Sequence, residues 1–384
     1  MRKICLITTS RADYGIQSRL IKLLQDEKNI DFSLVVSGMH ICKKYGLTYR
    51  EIEQDGIKIT KMFDIGMDKN GNEEIAEIMA EGLIKFTKAL KEINPDIVVA
   101  LGDRYEMFSA VQACTLCGIP VAHLHGGETT EGAIDEVFRH SMTKASYLHF
   151  TSCEAYRQRV IQLGENPERV FNFGSLGVEN TRKINLLHKE ELSQNLGVNF
   201  LEKSILVTFH PVTFEKGEAE RQIDELLEAL HELKDTTIIF TKPNADPENQ
   251  IIAQKIDGFV TQNQNAYAFS SLGAVRYLSL VNLVDVVVGN SSSGIIEVPS
   301  FKTATVNIGN RQKGRIQADS IINCPPQRED ILKALYKAYS PEFRKKLEHV
   351  RNPYEGENTA QKILDVLKNV NLEHALKKKF YDYQ

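Results

Sequence analysis

The first half of the chain carries three acids that could transfer protons. Asp103 follows an apolar stretch, where partial removal from water raises the pKa of a carboxylate towards the working range of a general base. Glu128 and Asp135 follow within one further strand-loop-helix unit. Asp103 could instead cap the helix predicted after it. We predict Asp103, Glu128 and Asp135 as catalytic acids or bases.

Three histidines accompany these acids. His123 and His125 are separated by one residue, and the period of two in a strand would send both imidazoles to the same side. His210 precedes a proline at the end of another apolar run. A lone histidine is more often structural than catalytic, but imidazole is well suited to proton transfer near neutral pH. We predict His125 and His210 as catalytic candidates.

Residues 134–145 predict a helix with paired charges. Arg139 follows Asp135 by one turn, and His140 follows Glu136 by one turn, so each pair shares a face. Ion pairs on a surface helix would show the same spacing. We predict that Arg139 and His140 contact a substrate.

A run of hydroxyl residues predicts an anion site in the second half. Ser291, Ser292 and Ser293 follow a Gly-Asn pair at a strand-to-helix turn, where unpaired N–H groups and partial positive charge favour a diphosphate. A serine cap without ligand is the alternative. Glu297, about one turn later, would accept hydrogen bonds from ribose hydroxyls, as acidic residues do in other nucleotide folds.

Four arginines could bind phosphate oxygens, because the guanidinium is planar and permanently charged. Arg11 and Arg104 lie at predicted strand ends, and Arg311 and Arg315 lie in a loop that contains glycine. We predict all four as contacts to an anionic ligand.

Short apolar runs alternate with helical patterns along the chain, which is typical of parallel sheets covered by helices on both faces. We predict an α/β protein of two doubly wound, Rossmann-like domains, 1–175 and 176–355, followed by a C-terminal segment, 356–384, whose closing helix over 356–379 packs back across the domains. Ligands of such sheets bind beyond the carboxyl ends of the strands, which predicts a cleft between the domains as the site. The predicted strands are 4–8, 32–37, 97–101, 121–124, 148–151, 204–209, 237–241, 286–289 and 303–308.

Composition excludes several functions. The net charge of −4, with no basic cluster before 377–379, argues against nucleic-acid or anionic membrane surfaces as partners. Six irregularly spaced cysteines are typical of a reducing cytoplasm, where we place the protein. No signal peptide or membrane span is predicted. No HExxH motif or Cys/His cluster occurs, so we predict neither a metal nor a cofactor.

Taken in order, these loops resemble the hydrolysing UDP-N-acetylglucosamine 2-epimerases of bacterial sialic acid synthesis. The resemblance covers nearly the whole chain. It includes Gly-Asp-Arg-Tyr-Glu at 102–106 and His-Leu-His-Gly-Gly-Glu at 123–128. The other matching segments are 10–15, 37–40, 138–141, 209–211, 290–299 and 308–315.

This resemblance implies a glycosyltransferase-B-like fold and a two-stage reaction. A base removes the C2 proton as UDP leaves C1, and water then adds to the 2-acetamidoglucal intermediate to yield N-acetylmannosamine. The family's catalytic residues map onto Asp103, Asp135 and His210. Its UDP contacts map onto Arg11, Arg104, Asn244, Ser291, Ser292, Glu297 and Arg311. The resemblance also suggests a homo-oligomer, a dimer or tetramer.

One position departs from the family pattern. Some members carry a glutamate where this chain has His125, and that glutamate is thought to be a catalytic acid or base. His125 could take this role, Glu128 could take it, or Asp103 could carry more of it. A second bacterial subgroup that resembles this chain also has histidine there.

Two other functions remain open from the sequence. The loop residues do not decide the substituent at C4 of the sugar, so a UDP-2,4-diacetamido-trideoxyhexose on the route to legionaminic acid is an alternative substrate. A glycosyltransferase of the same fold would hold the nucleotide similarly but would need an acceptor.

Overall fold

The computed structural model describes residues 1–69, 71–131, 133–212, 215, 217–242 and 248–382. The chain divides into two compact units. Unit 1 comprises Met1–Glu128, Asp135–Asn180 and Tyr354–Gln384, and unit 2 comprises Thr129–Ile134 and Thr181–Pro353. No helix within the described ranges is long and apolar enough to cross a membrane.

Each unit contains a parallel sheet. The strands of unit 1 are β1 (Arg2–Thr8), β2 (Ile30–Val36), β3 (Lys61–Met62), β4 (Ile97–Leu101), β5 (Val121–Leu124), β6 (Leu148–Thr151) and β7 (Val170–Asn172). Those of unit 2 are β8 (Lys203–Thr208), β9 (Thr236–Thr241), β10 (Ala266–Phe269), β11 (Val286–Gly289), β12 (Ala304–Ile308) and β13 (Ile321–Cys324).

Helices connect these strands. In chain order they are α1 (Arg11–Asp26), α2 (Tyr49–Gln54), α3 (Asn72–Ile93), α4 (Tyr105–Cys117), α5 (Asp135–Ala145), α6 (Glu154–Gln162), α7 (Leu176–Lys183), α8 (Lys189–Leu196), α9 (Ala219–His231), α10 (Asn249–Gln262), α11 (Gly273–Leu283), α12 (Ser292–Ile296), α13 (Arg328–Tyr339), α14 (Pro341–Leu347) and α15 (Thr359–Asn369).

Strand order reverses once in each sheet. The order is β3-β2-β1-β4-β5-β6-β7 in unit 1 and β10-β9-β8-β11-β12-β13 in unit 2. The reversal points lie between β1 and β4 and between β8 and β11. Crossover connections diverge there and leave a crevice at the carboxyl ends of the strands, which is where open α/β sheets bind ligands.

The core of unit 1 has two apolar layers, one on each face of the sheet. Ile4 and Leu6 of β1 pack in one layer, and Cys5 and Ile7 pack in the other. Covering both faces requires continuous apolar strands, which is the pattern that the sequence shows. The predicted α/β architecture of two parallel sheets is therefore confirmed.

Several short elements differ from the sequence-based predictions. All nine predicted strands are present with shifts of at most two residues at their ends, whereas β3, β7, β10 and β13 were not predicted. These four strands are two to four residues long and lie at or next to the sheet edges, so they carry little apolar signal of their own.

The predicted closing helix over 356–379 is too long. Helix α15 ends at Asn369, and its buried residues Ile363, Leu364 and Leu367 pack in the core of unit 1. Beyond it, an ion pair fixes the chain: Lys378 binds the buried carboxylate of Glu165 and donates to the carbonyl of Ser146. The position of this segment depends on an ion pair with a residue distant in the chain, which the sequence-based prediction of a longer helix did not include.

Glu165 gathers several charged partners. It contacts Lys144 at 2.6 Å, Lys378 at 2.8 Å and His149 at 3.1 Å. Burial alone would raise the pKa of Glu165, but these hydrogen bonds and charges outweigh it and lower the pKa to about 2. The carboxylate is therefore ionised at neutral pH and anchors the C-terminal segment within unit 1.

Gly289 permits the close approach of β11 to β8. Its φ is +129°, and a Cβ at this position would overlap the backbone carbonyl of Thr208. Only glycine adopts this conformation without strain, and the neighbouring atoms are backbone and have little freedom to move.

We expect Gly289→Ala to lower the free energy of unfolding by at least about 2 kcal/mol, because overpacking adds to backbone strain. Gly258→Ala is the matched control. Gly258 lies exposed within α10 with open space around it, so alanine there should stabilise by up to about 1 kcal/mol. Thermal unfolding of both variants checks the prediction, and equal melting temperatures would contradict it.

Candidate active site

Asp103 lies just beyond β4 in an ion pair with Arg139 of α5. Only 1% of the Arg139 side chain is exposed. Arg139 also donates to Glu136 Oε2 at 2.7 Å and to the backbone carbonyl of Glu128 at 3.1 Å. A charge this deeply buried requires such partners. Arg139 therefore holds Asp103 and the loop at Glu128 in one arrangement, and the predicted substrate contact of Arg139 stays a prediction.

His123 braces the Asp103 loop from β5. Its Nε2 lies 2.8 Å from the carbonyl of Gly102, which can only accept, so Nε2 carries the proton. Its Nδ1 lies 3.2 Å from Thr143 Oγ1 on α5. Burial lowers the pKa of His123 to about 3, and the ring is neutral at physiological pH. His123 thus contacts both the loop that carries Asp103 and the helix that carries Arg139.

His125 lies outside the strand pattern. Strand β5 ends at Leu124, and His125 adopts a left-handed conformation with φ of +64°. The alternation that predicted His123 and His125 on one side therefore does not apply. His125 Nδ1 instead lies 2.9 Å from Glu128 Oε1, and Ser152 Oγ donates to the same oxygen at 2.7 Å. His125 and Glu128 are two of the candidates for the role of the family's glutamate, and the structure pairs them with each other.

The loops after β1 and β4 meet at the reversal point of the first sheet. Arg104 Nε donates to the fully buried Glu106 at 2.6 Å. Burial raises the pKa of Glu106 and of Asp13, and the charge of Arg104 opposes both rises. Arg11 begins α1, whose first turn is fixed by a capping box between Ser10 and Asp13. Arg11 and Arg104 therefore extend from neighbouring strand ends.

The remaining predicted residues of unit 1 lie on α5. Asp135 is its first residue and is half-buried. His140 Nε2 lies 3.1 Å from Glu136 Oε1, so the pairing expected from their spacing is present. Asp135 and His140 keep their predicted roles as predictions.

Asn290 organises the reversal point of the second sheet. Its side-chain oxygen accepts from the backbone N–H of His210 at 2.7 Å, and its side-chain nitrogen donates to the carbonyl of His210 at 2.8 Å. The carbonyl of Asn290 accepts from Arg311 at 3.2 Å and from Gln312 at 2.9 Å. Asn290 is 1% exposed. It brings His210 and Arg311, both predicted from sequence, to one strand end.

The serine run forms a short helix start. Ser291 caps α12 and accepts from the backbone of Ser293 at 3.4 Å. Helix α12 has only five residues, so its dipole is smaller than the sequence suggested. The site offers backbone N–H groups and the half-buried hydroxyls of Ser291, Ser292 and Ser293. The serine cap given as the alternative is present, and diphosphate binding there stays a prediction.

The other predicted anion contacts fall near this helix. Glu297 follows the last residue of α12 and is 8% exposed. The backbone N–H of Arg315 donates to the carbonyl of Gln312 at 3.2 Å, in the loop after β12. Asn244 lies outside the described residues. Glu297, Arg311 and Arg315 therefore belong to the same part of unit 2 as the serine run.

Some structurally central residues were not predicted. Asn290, Gln312, Glu106 and Ser152 are buried polar residues that hold the predicted side chains in place. For Asn290 and Glu106 a signal existed, since both lie within the polar loops that follow apolar strands. Ser152 and Gln312 contact residues distant in sequence, so neither carries a local signal. The described part of the chain holds no group of three His, Cys, Asp or Glu side chains arranged to bind a metal.

The chain is similar in sequence to a family of known proteins. Residues 22–368 match the family model described as UDP-N-acetylglucosamine 2-epimerase. A "GDP/UDP-N,N'-diacetylbacillosamine 2-epimerase (hydrolyzing)" of Campylobacter jejuni is 40% identical over 99% of both chains. "Polysialic acid biosynthesis protein P7" of Escherichia coli is 41% identical over 100% of this chain and 98% of its own.

A solved structure shows the same fold. The crystal structure of UDP-GlcNAc 2-epimerase from Neisseria meningitidis bound to UDP-GlcNAc matches with a TM-score of 0.81 and 19% identity. The match covers 96% of this chain and 100% of that one.

Two parallel sheets with polar loops at their reversal points define a glycosyltransferase-B-like α/β fold. The family match is more specific. The chain belongs to the UDP-N-acetylglucosamine 2-epimerase family, as the loop motifs predicted.

The buried histidines make stability depend on pH. The pKa of His123 and of His40 is lowered by burial from 6.5 to about 3. As pH falls below 6.5 these rings take up protons in the unfolded chain but not in the folded one, so unfolding becomes easier. At pH 5 each ring should lower the free energy of unfolding by about 2 kcal/mol relative to neutral pH.

His123→Gln keeps an amide donor for the carbonyl of Gly102. It should reduce the pH dependence of the free energy of unfolding by the contribution of one histidine ring. Denaturant titrations at pH 7 and pH 5 measure it. The exposed His374→Gln is the control and should leave the dependence unchanged. If the pH dependence is unchanged in His123→Gln, His123 takes up its proton in the folded chain as readily as in the unfolded chain, and the prediction is wrong.

Proposed function

We propose that the protein is a hydrolysing 2-epimerase of a UDP-linked 2-acetamido sugar. The preferred substrate is UDP-N-acetylglucosamine, and the products are UDP and N-acetylmannosamine for sialic acid synthesis. The observation that carries the proposal is the buried Arg139, which joins Asp103 to the turn containing His125 and Glu128. Two proton-transfer groups thereby lie in one rigid assembly of unit 1.

The reaction needs two such groups. Epimerisation inverts C2, so a proton leaves from one face of the sugar ring and another returns to the opposite face. Asp103 and Asp135 are the proposed acidic members, His210 is a further proposed member, and either Glu128 or His125 completes the set. Each can exchange a proton near neutral pH in a suitable environment.

The diphosphate is bound by residues that can stabilise the negative charge that develops on the leaving group. We assign this to Arg11, Arg104, Arg311 and the serine turn at 291–293, with Glu297 on the ribose. Preorganised donors lower the barrier because they need no rearrangement during the reaction. No metal ion or cofactor is required in this scheme, since guanidinium and N–H groups balance the charge.

The name of the C. jejuni relative favours a second substrate. The C. jejuni protein is named for a diacetylated bacillosamine, whereas the E. coli protein is named for polysialic acid synthesis, and the two are almost equally similar to this chain. A UDP-2,4-diacetamido-trideoxyhexose is therefore the alternative substrate, through the same chemistry at C1 and C2.

The test is a product assay with each UDP-sugar and no acceptor, in deuterated water. We expect release of UDP and of a free 2-epimerised sugar that carries deuterium at C2, because the returning proton comes from solvent. Proton NMR of the anomeric signals identifies the sugar. If only the diacetamido sugar is consumed, the alternative substrate is correct. If UDP is released only with an acceptor present, and the sugar becomes attached to that acceptor, the protein is a glycosyltransferase.

Asp103→Asn should lower kcat by about 10²–10⁴-fold, the usual contribution of an acid or base. The amide keeps the shape and can still accept from Arg139, so UDP affinity should stay at the wild-type value. Glu136→Gln is the control, since Glu136 also binds Arg139 but has no proposed proton transfer. Steady-state UDP release and UDP titration measure both. An active Asp103→Asn enzyme would remove Asp103 from the mechanism.

A further inference from the structure

His125 and Glu128 form a buried imidazole–carboxylate pair. Nδ1 of His125 lies 2.9 Å from Glu128 Oε1, and the two side chains are 10% and 4% exposed. With the carboxylate ionised and the ring neutral, Nδ1 carries the proton and the lone pair lies on Nε2, because a carboxylate only accepts hydrogen bonds. Nε2 is buried and has no hydrogen-bond partner among the described residues.

The backbone maintains this orientation at a cost. His125 is a non-glycine residue at φ of +64°, a conformation that costs about 1–3 kcal/mol. Its N–H donates to the carbonyl of Phe150 at 2.9 Å. Gly127 has φ of +77°, and its carbonyl accepts from Arg159 at 2.6 Å. The turn thus places the imidazole beyond the strand and against Glu128.

We propose that His125 is the catalytic base that takes the C2 proton, and that Glu128 is the residue that positions its ring. The proposal rests on the hydrolysing 2-epimerase function. At the position where other family members carry glutamate, His125 is then the base. Glu128 acts through its contact with His125.

The competing groups are engaged elsewhere. Oε1 of Glu128 already accepts from Ser152 and from His125. Oδ2 of Asp103 is paired with Arg139.

A second histidine, His149, is also paired with a glutamate, but here both side chains are fully buried. His149 contacts Glu165 at 3.1 Å, but its side chain is fully enclosed within β6. Glu165 also binds Lys144 and Lys378, so its charge is already compensated. The side chain of His125 is 10% exposed, whereas that of His149 is 0% exposed.

The step balances as follows. Nε2 takes the proton from C2, the electrons of the C2–H bond form the C1–C2 double bond, and the C1–O bond breaks with its electrons leaving on UDP. The imidazolium is stabilised by Glu128 until it returns its proton to solvent. A proton then adds to C2 from the other face, and water adds to C1 and loses a proton.

The test compares His125→Gln with wild type in both half-reactions. We expect His125→Gln to lower kcat for UDP release by about 10²–10⁴-fold with KM little changed. The variant should still hydrate the glycal of the consumed sugar, supplied together with UDP. The exposed His374→Gln is the matched control and should match wild type in both assays.

Glu128 is tested through the pH profile. Glu128→Gln should lower kcat and move its acid limb to lower pH, because the missing carboxylate no longer favours the imidazolium. Glu128→Asp keeps the charge and should recover part of the rate with the limb near its wild-type position. A purely structural role for Glu128 would lower the rate without moving the limb.

The outcomes separate the two proposals. A wild type that releases UDP from neither sugar overturns the proposed function and this inference with it. An active wild type with a His125→Gln variant of normal kcat overturns the inference alone. The same holds if the variant releases UDP normally and fails only to hydrate the glycal.

Discussion

The geometry of unit 1 depends on the burial of the Arg139 guanidinium. A permanently charged group that is 1% exposed is stable only with charged and polar partners, and here these are Asp103, Glu136 and the carbonyl of Glu128. Breaking a buried ion pair typically costs about 3–5 kcal/mol, so the three partners are held firmly. Because they come from the loop after β4, from α5 and from the loop after β5, one side chain coordinates three segments of chain.

Unit 2 solves the same problem with a neutral group. Asn290 uses both halves of its amide on the backbone of His210 and its own carbonyl on Arg311 and Gln312. A neutral amide leaves the local charge to the arginines, which suits a predicted site for an anionic ligand. In unit 1 the buried positive charge is matched by carboxylates, which suits a predicted site for proton transfer.

The position of His125 illustrates how function is tied to backbone strain. A histidine in the left-handed region persists only where the surroundings fix it, and the neighbouring glycines and the bonds to Phe150 and Arg159 do so here. A glutamate in the same conformation would bring a second negative charge against Glu128. The exchange of glutamate for histidine therefore alters the chemistry of the pair, with imidazole and carboxylate in place of two acids.

The sequence by itself determined the two parallel α/β units, the nine main strands, the loops that carry the site and the family, since apolar runs and loop motifs are local properties of the chain. It also placed His210, Arg311 and the serine run correctly at strand ends. Only the tertiary structure decided that Arg139 pairs with Asp103, that His125 pairs with Glu128, and that the chain beyond α15 is anchored through Lys378. The first and third are contacts between distant segments, fixed by the order of strands in each sheet and by the need to compensate buried charge. The pair of His125 and Glu128 is local in the chain, but it depends on the left-handed conformation of His125, which the strand pattern does not predict.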